Sequence, residues 1–248
     1  AFIFCFPFVW MLMASGKSNA EIFRPLPLFP EQYSFQYFEE LFAQPLFFKQ
    51  FLNSCMVSGL QTIGVLCTTV MAGYVFCHYE FRAKKTLFLM AMMTIVIPVQ
   101  VLLIPIFEWL NTLNLNDHLL SMILPGICSG LGLLFFTQSF RQIPKDLMDS
   151  ARLEGASEIR VFMTVLPLMN NAVLTYGFLH FILCWQRHLM PMIMIHSEEK
   201  MTLTVALSML SSRNLNIHYA VLMSGSLFLV IPVAMIYVIF QKNFKSAL

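Results

Sequence analysis

Residues 141–166 read RQIPKDLMDSARLEGASEIRVFMTVL and form a polar interruption between two long apolar stretches of the chain. Pro144 suits the first turn of a helix, because a proline at that position loses no hydrogen bond. Gly155 suits the left-handed conformation that commonly ends a helix. The segment therefore predicts a helix of about three turns from Lys145 to Glu154, followed by a second helix that Ser157 caps.

The same segment carries small side chains among charges of both signs. Ser150, Ala151, Gly155 and Ala156 are small enough to let the backbone of another protein come close. Four basic and four acidic residues surround them, which is typical of a segment exposed to water. From these residues alone two interpretations stay open: a surface that another protein grips, and an ordinary charged loop.

The rest of the chain has the composition of a protein that lies in lipid. Of its 248 residues, 58% are hydrophobic and 11% are charged, and the mean hydropathy is +0.72. Soluble proteins carry about 25% charged residues, so an integral membrane protein is predicted. The net charge of +2, without a basic stripe, argues against nucleic acid as a partner. The six cysteines are scattered without a Cys-x-x-Cys pair, which predicts buried free thiols.

A membrane crossing needs about 20 apolar residues, and the hydrophobic runs predict about six transmembrane helices. The opening run 1–14 is interpreted as the truncated end of the first, and the others are predicted at 52–77, 86–107, 118–140, 166–186 and 217–241. Residues 15–50 are predicted to form an extracytoplasmic loop with a short amphipathic helix around Ser34–Ala43. The predicted fold class is therefore an all-α integral membrane protein of one domain, 1–248, with the 141–166 loop between helices 4 and 5.

The distribution of lysine and arginine predicts the orientation, because cytoplasmic segments carry more of both. If the 141–166 loop is cytoplasmic, nine of these residues lie inside and six lie outside, and both termini are cytoplasmic. The nine are Arg82, Lys84, Lys85, Arg141, Lys145, Arg152, Arg160, Lys242 and Lys245.

A stripe of small and polar residues on the second predicted span indicates a surface that does not face lipid. It consists of Ser54, Ser58, Gln61, Val65, Thr68 and Ala72. The opposite face of this helix is apolar. The stripe predicts either close packing against other helices or the lining of a transport path, with Gln61 and Thr68 as candidates for the path.

Gln100 is a third candidate for the transport path. It lies between Pro98 and Pro105 on the third predicted span. Prolines free backbone carbonyls, which at membrane depth must face protein or water. On the fourth predicted span, Gly126 and Gly130 are four residues apart and predict a face of small residues for helix packing.

Two patterns resemble functional sites that their surroundings do not support. Gly16-Lys17-Ser18 ends like a nucleotide-binding P-loop, but Met11 stands where the first glycine belongs. His180, Cys184 and His188 share a helical face, but a straight helix separates the two histidines by about 12 Å. Helix packing is therefore favoured over a metal site. No catalytic residue, metal or cofactor is predicted, and an intramembrane enzyme that uses His180 and Cys184 is kept as an alternative.

The 141–166 loop resembles the Glu-Ala-Ala loop in membrane subunits of binding-protein-dependent ABC importers. It reads Asp149-Ser150-Ala151, then Glu154-Gly155-Ala156-Ser157, then Leu166-Pro167-Leu168. Relative to the usual Glu-Ala-Ala and Asp-Gly, aspartate and glutamate exchange places, so an acid is kept at both positions. Within that family the chain looks like the sugar-uptake branch, to which the maltose transporter G subunit belongs. Further matching stretches are Pro7–Leu12, Asn53-Ser54, Ala72-Gly73-Tyr74, Ile97-Pro98, Ile104-Pro105, Leu113–Leu115, Ile123–Pro125 and Phe181–Trp185.

The resemblance implies a non-catalytic permease subunit that forms half of the path of an ATP-driven sugar importer in a bacterial cytoplasmic membrane. It implies three partners: a cytoplasmic ATPase dimer, a second permease subunit in a heterodimer, and an extracytoplasmic sugar-binding protein. The residues implied in coupling to the ATPase are Asp149, Ser150, Ala151, Glu154, Gly155 and Ala156. An ion-gradient-driven secondary transporter is the alternative, although such proteins usually show intramembrane carboxylates or inverted repeats.

Overall fold

The computed structural model describes residues 2–24, 29–213 and 218–245, and all regular elements within these ranges are helical. The helices are α1 (Phe2–Ala14), α2 (Asn19–Ile22), α3 (Gln36–Phe42), α4 (Phe47–His78), α5 (Lys84–Val96), α6 (Val99–Thr112), α7 (Leu119–Ile123), α8 (Gly130–Phe140), α9 (Lys145–Leu153), α10 (Glu158–Val165), α11 (Asn170–Trp185), α12 (Leu189–Met194), α13 (Leu203–Arg213) and α14 (Tyr219–Lys245). The prediction of an all-α fold is confirmed. Residue 1, residues 25–28 of the predicted loop and residue 217 of the predicted last span lie outside the described residues.

Within the described residues, three helical stretches are long and apolar enough to cross a membrane. They are α4 with 32 residues, Glu158–Trp185 with 28 residues and Tyr219–Gln241 with 23 residues. These stretches correspond to the second, fifth and sixth predicted spans. Up to five spans result if each of two bent helix pairs forms one crossing. Because α1 has only 13 residues, the count of six stays a prediction.

The predicted span 86–107 is wrong as a single straight helix. The chain breaks between α5 and α6, which are bent by 109°. Pro98 explains the break, because proline has no N–H to donate and disfavours the helical conformation of the residue before it. Ile97 is accordingly extended, with φ −75° and ψ 119°.

The predicted span 118–140 is also wrong as one continuous helix. A 3-10 turn follows α7, and this part is bent by 44° from α8. The prediction that Gly126 and Gly130 share one helical face is therefore wrong. Gly126 instead lies against the side chain of Gln61 in α4, and Gly130 lies against the backbone carbonyl of Ala91 in α5. Both glycines still serve close approach, but to different neighbours.

The chain divides into two compact units, and the first comprises residues 1–56, 117–119 and 186–236. The amphipathic helix predicted at Ser34–Ala43 is confirmed as α3, which buries Tyr37 and Leu41. The core of this unit consists of Tyr37, Leu41, Phe47, Leu203, Leu207, Ala220 and Val221. Helix α3 is thus held by side chains of α13 and α14.

The second unit comprises residues 57–116, 120–185 and 237–248 and contains the 141–166 segment. Its core consists of Val65, Val70, Tyr74, Phe136, Phe140, Met148, Val161, Val165, Met169 and Tyr176. Because Met148 belongs to α9 and Val161 to α10, the polar segment is anchored in the same core as α4, α8 and α11.

The cysteines are free, as predicted, but the prediction that they are buried is wrong for most of them. Cys184 is buried, whereas Cys5, Cys67 and Cys128 are exposed on the chain. On a helix that crosses a membrane, an exposed thiol can face lipid without cost, because it behaves as a small hydrophobic group.

Candidate functional site

The turn at the end of α9 has the geometry that the sequence predicts. Gly155 has φ +81°, and Glu154 is the last residue before it. The N–H of Gly155 donates to the carbonyl of Arg152 at 2.9 Å, and the N–H of Ala156 donates to the carbonyl of Ala151 at 3.1 Å. These two bonds form a Schellman motif, which satisfies carbonyls that the end of a helix otherwise leaves without a partner.

Helix α9 has one buried side and one exposed side. Met148 is only 2% exposed, and Ala151 and Ala156 are packed against the same core. On the other side Leu147 is 47% exposed and Leu153 is 89% exposed, while Asp149, Ser150 and Glu154 are exposed as well. Helix α9 therefore exposes two leucines among charged side chains.

The start of α10 is held by an ion pair rather than by the predicted serine cap. Ser157 occupies the N-cap position, but its side chain accepts no capping hydrogen bond. Instead, the guanidinium of Arg152 donates to both carboxylate oxygens of Glu158, at 3.0 and 3.3 Å, and to Asp149 at 3.0 Å. A carboxylate in the first turn of a helix also interacts favourably with the helix dipole. Arg152 therefore bridges the turn from α9 to α10.

Tyr79, which directly follows α4, joins the same cluster by donating its hydroxyl to Glu158. The Glu158 carboxylate thus accepts hydrogen bonds from both Arg152 and Tyr79. Burial and the bond to Glu158 raise the pKa of Tyr79 to about 12. This link between α4 and α10 was not predicted, because the two side chains are 79 residues apart and match no short-range pattern.

Two of the three path candidates, Gln61 and Thr68, bind backbone carbonyls of the broken fourth span. Gln61 is fully buried, and its amide nitrogen donates to the carbonyls of Met122 and Ile123 at 2.7 and 3.0 Å. The hydroxyl of Thr68 donates to the carbonyl of Ile127. Carbonyls freed by an interrupted helix need such partners at membrane depth. The geometry thus accounts for both residues by packing, and their role in a path stays a prediction.

Gln100, the third candidate, lies in the first turn of α6 and is exposed on the chain. It follows the sharp bend at Pro98, where the first N–H groups of α6 have no capping side chain. Exposed polar groups beside an interrupted helix are compatible with a surface that faces water or another subunit. Its role also stays a prediction.

The two site-like patterns have structural roles. Ser18 caps α2, because its hydroxyl accepts the N–H of Glu21 while the Glu21 carboxylate accepts the N–H of Ser18. His180 is hydrogen-bonded to Thr62 at 3.2 Å, and Cys184 is buried. Among the described residues, no group of three histidine, cysteine or acidic side chains could hold a metal ion.

A second carboxylate cluster, centred on Asp117 in the first unit, was missed. Asp117 has φ +53°, and its carboxylate accepts the N–H groups of His196 and Ser197, both at 2.9 Å, and the hydroxyl of Ser197. The ammonium of Lys200 lies 3.0 Å from the carboxylate. The bonds from Ser197, with the help of Lys200, hold the pKa of Asp117 far below its usual range. The sequence offered only one weak signal for this cluster, namely that aspartate and lysine can form an ion pair. Ser197, which binds Asp117, is 80 positions away in the sequence.

The chain is similar to known membrane transport proteins. Residues 64–248 match the family described as the binding-protein-dependent transport system inner membrane component. An arabinooligosaccharide transport system permease protein of Bacillus subtilis (strain 168) is 34% identical over 251 residues, covering 99% of this chain and 89% of the relative. A lactose transport system permease protein of Rhizobium radiobacter is 26% identical over 249 residues, covering 100% and 90%.

The fold is also similar to that of a solved structure. One chain of a bacterial ABC transporter involved in the import of the acidic polysaccharide alginate superposes with a TM-score of 0.86 at 20% identity, covering 98% of this chain and 91% of that chain. The family match favours a permease subunit over an ion-gradient-driven transporter that works alone. The part of the chain that matches the family, residues 64–248, includes the 141–166 segment and all of α5–α14. The chain belongs to the family of inner membrane components of binding-protein-dependent transport systems.

Proposed function

We propose that this chain is the permease subunit that forms half of the translocation path of an ATP-driven sugar importer. Its family supports the transport role, and the named substrates of its relatives, arabinooligosaccharides and lactose, support a carbohydrate. The subunit itself is non-catalytic, and ATP hydrolysis belongs to a partner. A sugar-binding protein on the outer side and a second, different permease subunit complete the importer.

The 141–166 segment is the part that receives force from a cytoplasmic ATPase dimer. The observation that carries this assignment is the two-sided character of α9. Met148 anchors it in the core of the second unit, while Leu147 and Leu153 remain exposed for a partner. Asp149, Ser150, Ala151, Glu154, Gly155 and Ala156 form or flank the contact surface. In this orientation both termini are cytoplasmic.

Movement of α9 would reach the membrane through the contacts around Arg152. The ion pair of Arg152 with Glu158 connects α9 to α10, and α10 continues without a long break into α11. The bond from Tyr79 to Glu158 connects the same point to the end of α4. Closure of the ATPases would thus shift two candidate spans together, which is the kind of rigid-body change that switches access to a path. Gln61, Thr68 and Gln100 are the residues proposed to line or border that path.

Site-specific photo-crosslinking tests the assignment of the 141–166 segment. A benzophenone amino acid replaces Leu153, which is exposed, in the full importer in native membranes. We expect a crosslink from this position to the cytoplasmic ATPase. The matched control places the same group at Phe35, another exposed apolar residue in the predicted extracytoplasmic loop.

The outcome at the two positions decides the proposal. A crosslink to the ATPase from position 153 alone supports both the docking surface and the orientation. A crosslink from position 153 to an extracytoplasmic protein, or none to any ATPase while the importer is active, would overturn the proposal.

A further inference from the structure

A cavity of about 250 Å³ lies between the end of α4, the first turns of α5 and the end of α8. Its charged lining consists of Lys84, Lys85, Arg141 and one acid, Glu80, and the rest of the lining is Thr137 and the aromatic rings of Phe76 and Phe88. The end of α8 directly precedes the 141–166 segment, and Tyr79, just after α4, donates its hydroxyl to Glu158 in that segment. The cavity therefore opens at the level where that segment leaves the membrane-spanning helices.

The charges in the cavity do not cancel. The ammonium of Lys84 is paired with the carboxylate of Glu80 at 2.9 Å and also donates to the carbonyl of Tyr79. Arg141 donates to the neutral amide of Gln138 at 3.3 Å. Within the described residues, neither Lys85 nor Arg141 has an acidic partner at ion-pair distance. Two positive charges thus remain for a ligand.

The electrostatics of the backbone have the same sign. Helix α5 begins at Lys84, and the residue before it, Ala83, contributes no side-chain hydrogen bond to the first turn. The start of a helix carries a partial positive charge, and its N–H groups can donate to an anion. Lys84 and Lys85 belong to this first turn, so side chains and helix dipole favour the same kind of ligand.

The two phenylalanines are the apolar part of the lining, and they continue into apolar helix surface. The rings of Phe76 and Phe88 lie 5.9 Å apart. Further along the same helices, Met71, Val75 and Leu89 are exposed on the chain, where a membrane protein meets hydrocarbon. A ligand with a negative head and an apolar body fits this arrangement better than a small ion does, because both parts find a matching surface.

We propose that this cavity binds the phosphodiester headgroup of an anionic phospholipid from the leaflet on the side of the 141–166 segment. Lys85 and Arg141 bind the phosphate oxygens, and Phe76 and Phe88 pack against the glycerol and the first acyl carbons. Basic pockets between helices at the cytoplasmic surface of membranes are suited to such headgroups. Free phosphate shares the charge but not the apolar part, so the two sources can be distinguished.

Photolabelling with lipid tests this site in the intact importer. The full complex is placed in phosphatidylcholine nanodiscs that contain a trace of photoactivatable phosphatidylglycerol or, in a parallel sample, photoactivatable phosphatidylcholine. Labelled peptides that contain residues 76–88 or 137–141 are quantified by mass spectrometry. The variants are Lys85→Gln, Arg141→Gln and the conservative Lys85→Arg. The matched control is Arg82→Gln, which removes the same charge from an exposed residue three positions before Lys85 that does not line the cavity.

We expect more label from phosphatidylglycerol than from phosphatidylcholine. Labelling should fall about five-fold in Lys85→Gln and in Arg141→Gln, since one basic side chain near an anionic lipid contributes roughly that factor. Lys85→Arg and Arg82→Gln should label like the wild type. Equal labelling by the two lipids, or an equal loss in Arg82→Gln, would overturn the proposal. Loss of the phosphatidylglycerol label on addition of millimolar inorganic phosphate would assign the site to a small anion instead.

Discussion

The carboxylates of Asp117 and Glu158 organise their surroundings by different means. Asp117 accepts two backbone N–H groups, at residues 196 and 197, and so binds two distant parts of the main chain directly together. Glu158 accepts only side chains, those of Arg152 and Tyr79. The backbone N–H groups around Asp117 are fixed in position by the main chain. The groups that bind Glu158 are at the ends of long side chains and can move more.

The difference indicates which region is suited to hold and which is suited to move. Exposed ion pairs between side chains contribute little to stability, and they can form again after the elements that carry them have shifted. A carboxylate bound by backbone amides cannot follow such a shift without losing its partners. We therefore expect the Asp117 cluster to stabilise its unit, and the Arg152–Glu158 pair to direct motion in the 141–166 segment.

The largest effect is expected at the turn beside Arg152. Gly155→Pro should reduce sugar uptake to background and uncouple ATP hydrolysis, because proline fixes φ near −65° and cannot adopt the observed +81°. Gly155→Asn, which tolerates the left-handed conformation, should retain most of the uptake. Transport into membrane vesicles and ATPase activity measure both variants, with immunoblots to verify insertion. Normal uptake by Gly155→Pro would contradict the importance of this turn.

The next effect should appear as stability at Asp117. Asp117→Ala leaves the N–H groups of His196 and Ser197 without their acceptor, which costs about 1–3 kcal/mol. The alanine would also have to adopt the left-handed backbone conformation of Asp117, which is unfavourable for alanine. Asp117→Asn keeps an acceptor and tolerates that conformation, so it should destabilise less. The temperature of half-maximal aggregation of the purified importer measures both. Equal stability of Asp117→Ala and the wild type would remove the contrast between the two clusters.

A smaller effect on stability, but a clear one on coupling, is expected for the exposed pair. Arg152→Gln should leave the aggregation temperature nearly unchanged, while the amount of sugar transported per ATP hydrolysed falls several-fold. The exchange of charges in Arg152→Glu with Glu158→Arg should restore part of the coupling. A large drop in thermal stability with normal coupling would show that Arg152 holds the fold instead.

The smallest effect concerns pH. The folded pKa of Asp117 is depressed, so its contribution to stability is complete above the unfolded pKa, about 3.9, and is lost as the pH falls through the folded value. The difference in aggregation temperature between the wild type and Asp117→Asn should therefore be constant from pH 8 to pH 5 and shrink only below about pH 4. A difference that already disappears at pH 6 would contradict the charged state assigned to Asp117.

The sequence allowed the long apolar helices and the turn at Gly155 to be predicted, because both depend on local properties. Pro144 and Gly155 predicted the bounds of helix α9 with an error of one residue, at its end. The 109° break at Pro98 was not, since a proline in an apolar run either kinks or ends a helix, and its neighbours in space decide which. Those neighbours are not local in the sequence.

The polar contacts were the least predictable part of the candidate site. The stripe on α4 was recognised, but its partners were not, since Gln61 binds carbonyls 61 and 62 residues away. Tyr79 and Asp117 gave no signal at all, because a single tyrosine or aspartate at the end of an apolar run has many possible roles. Burial and geometry, rather than residue type, select among them.

The glycine at the end of α9 is required by handedness and not by lack of room. A Cβ atom at Gly155 would meet no other atom within 4 Å, although φ is +81°. Each L-amino acid with a side chain is disfavoured there by its stereochemistry. A mirror-image alanine, introduced by chemical ligation, would have that angle as its natural one. Such a D-residue should stiffen the joint between α9 and α10, because it allows fewer backbone conformations than glycine does.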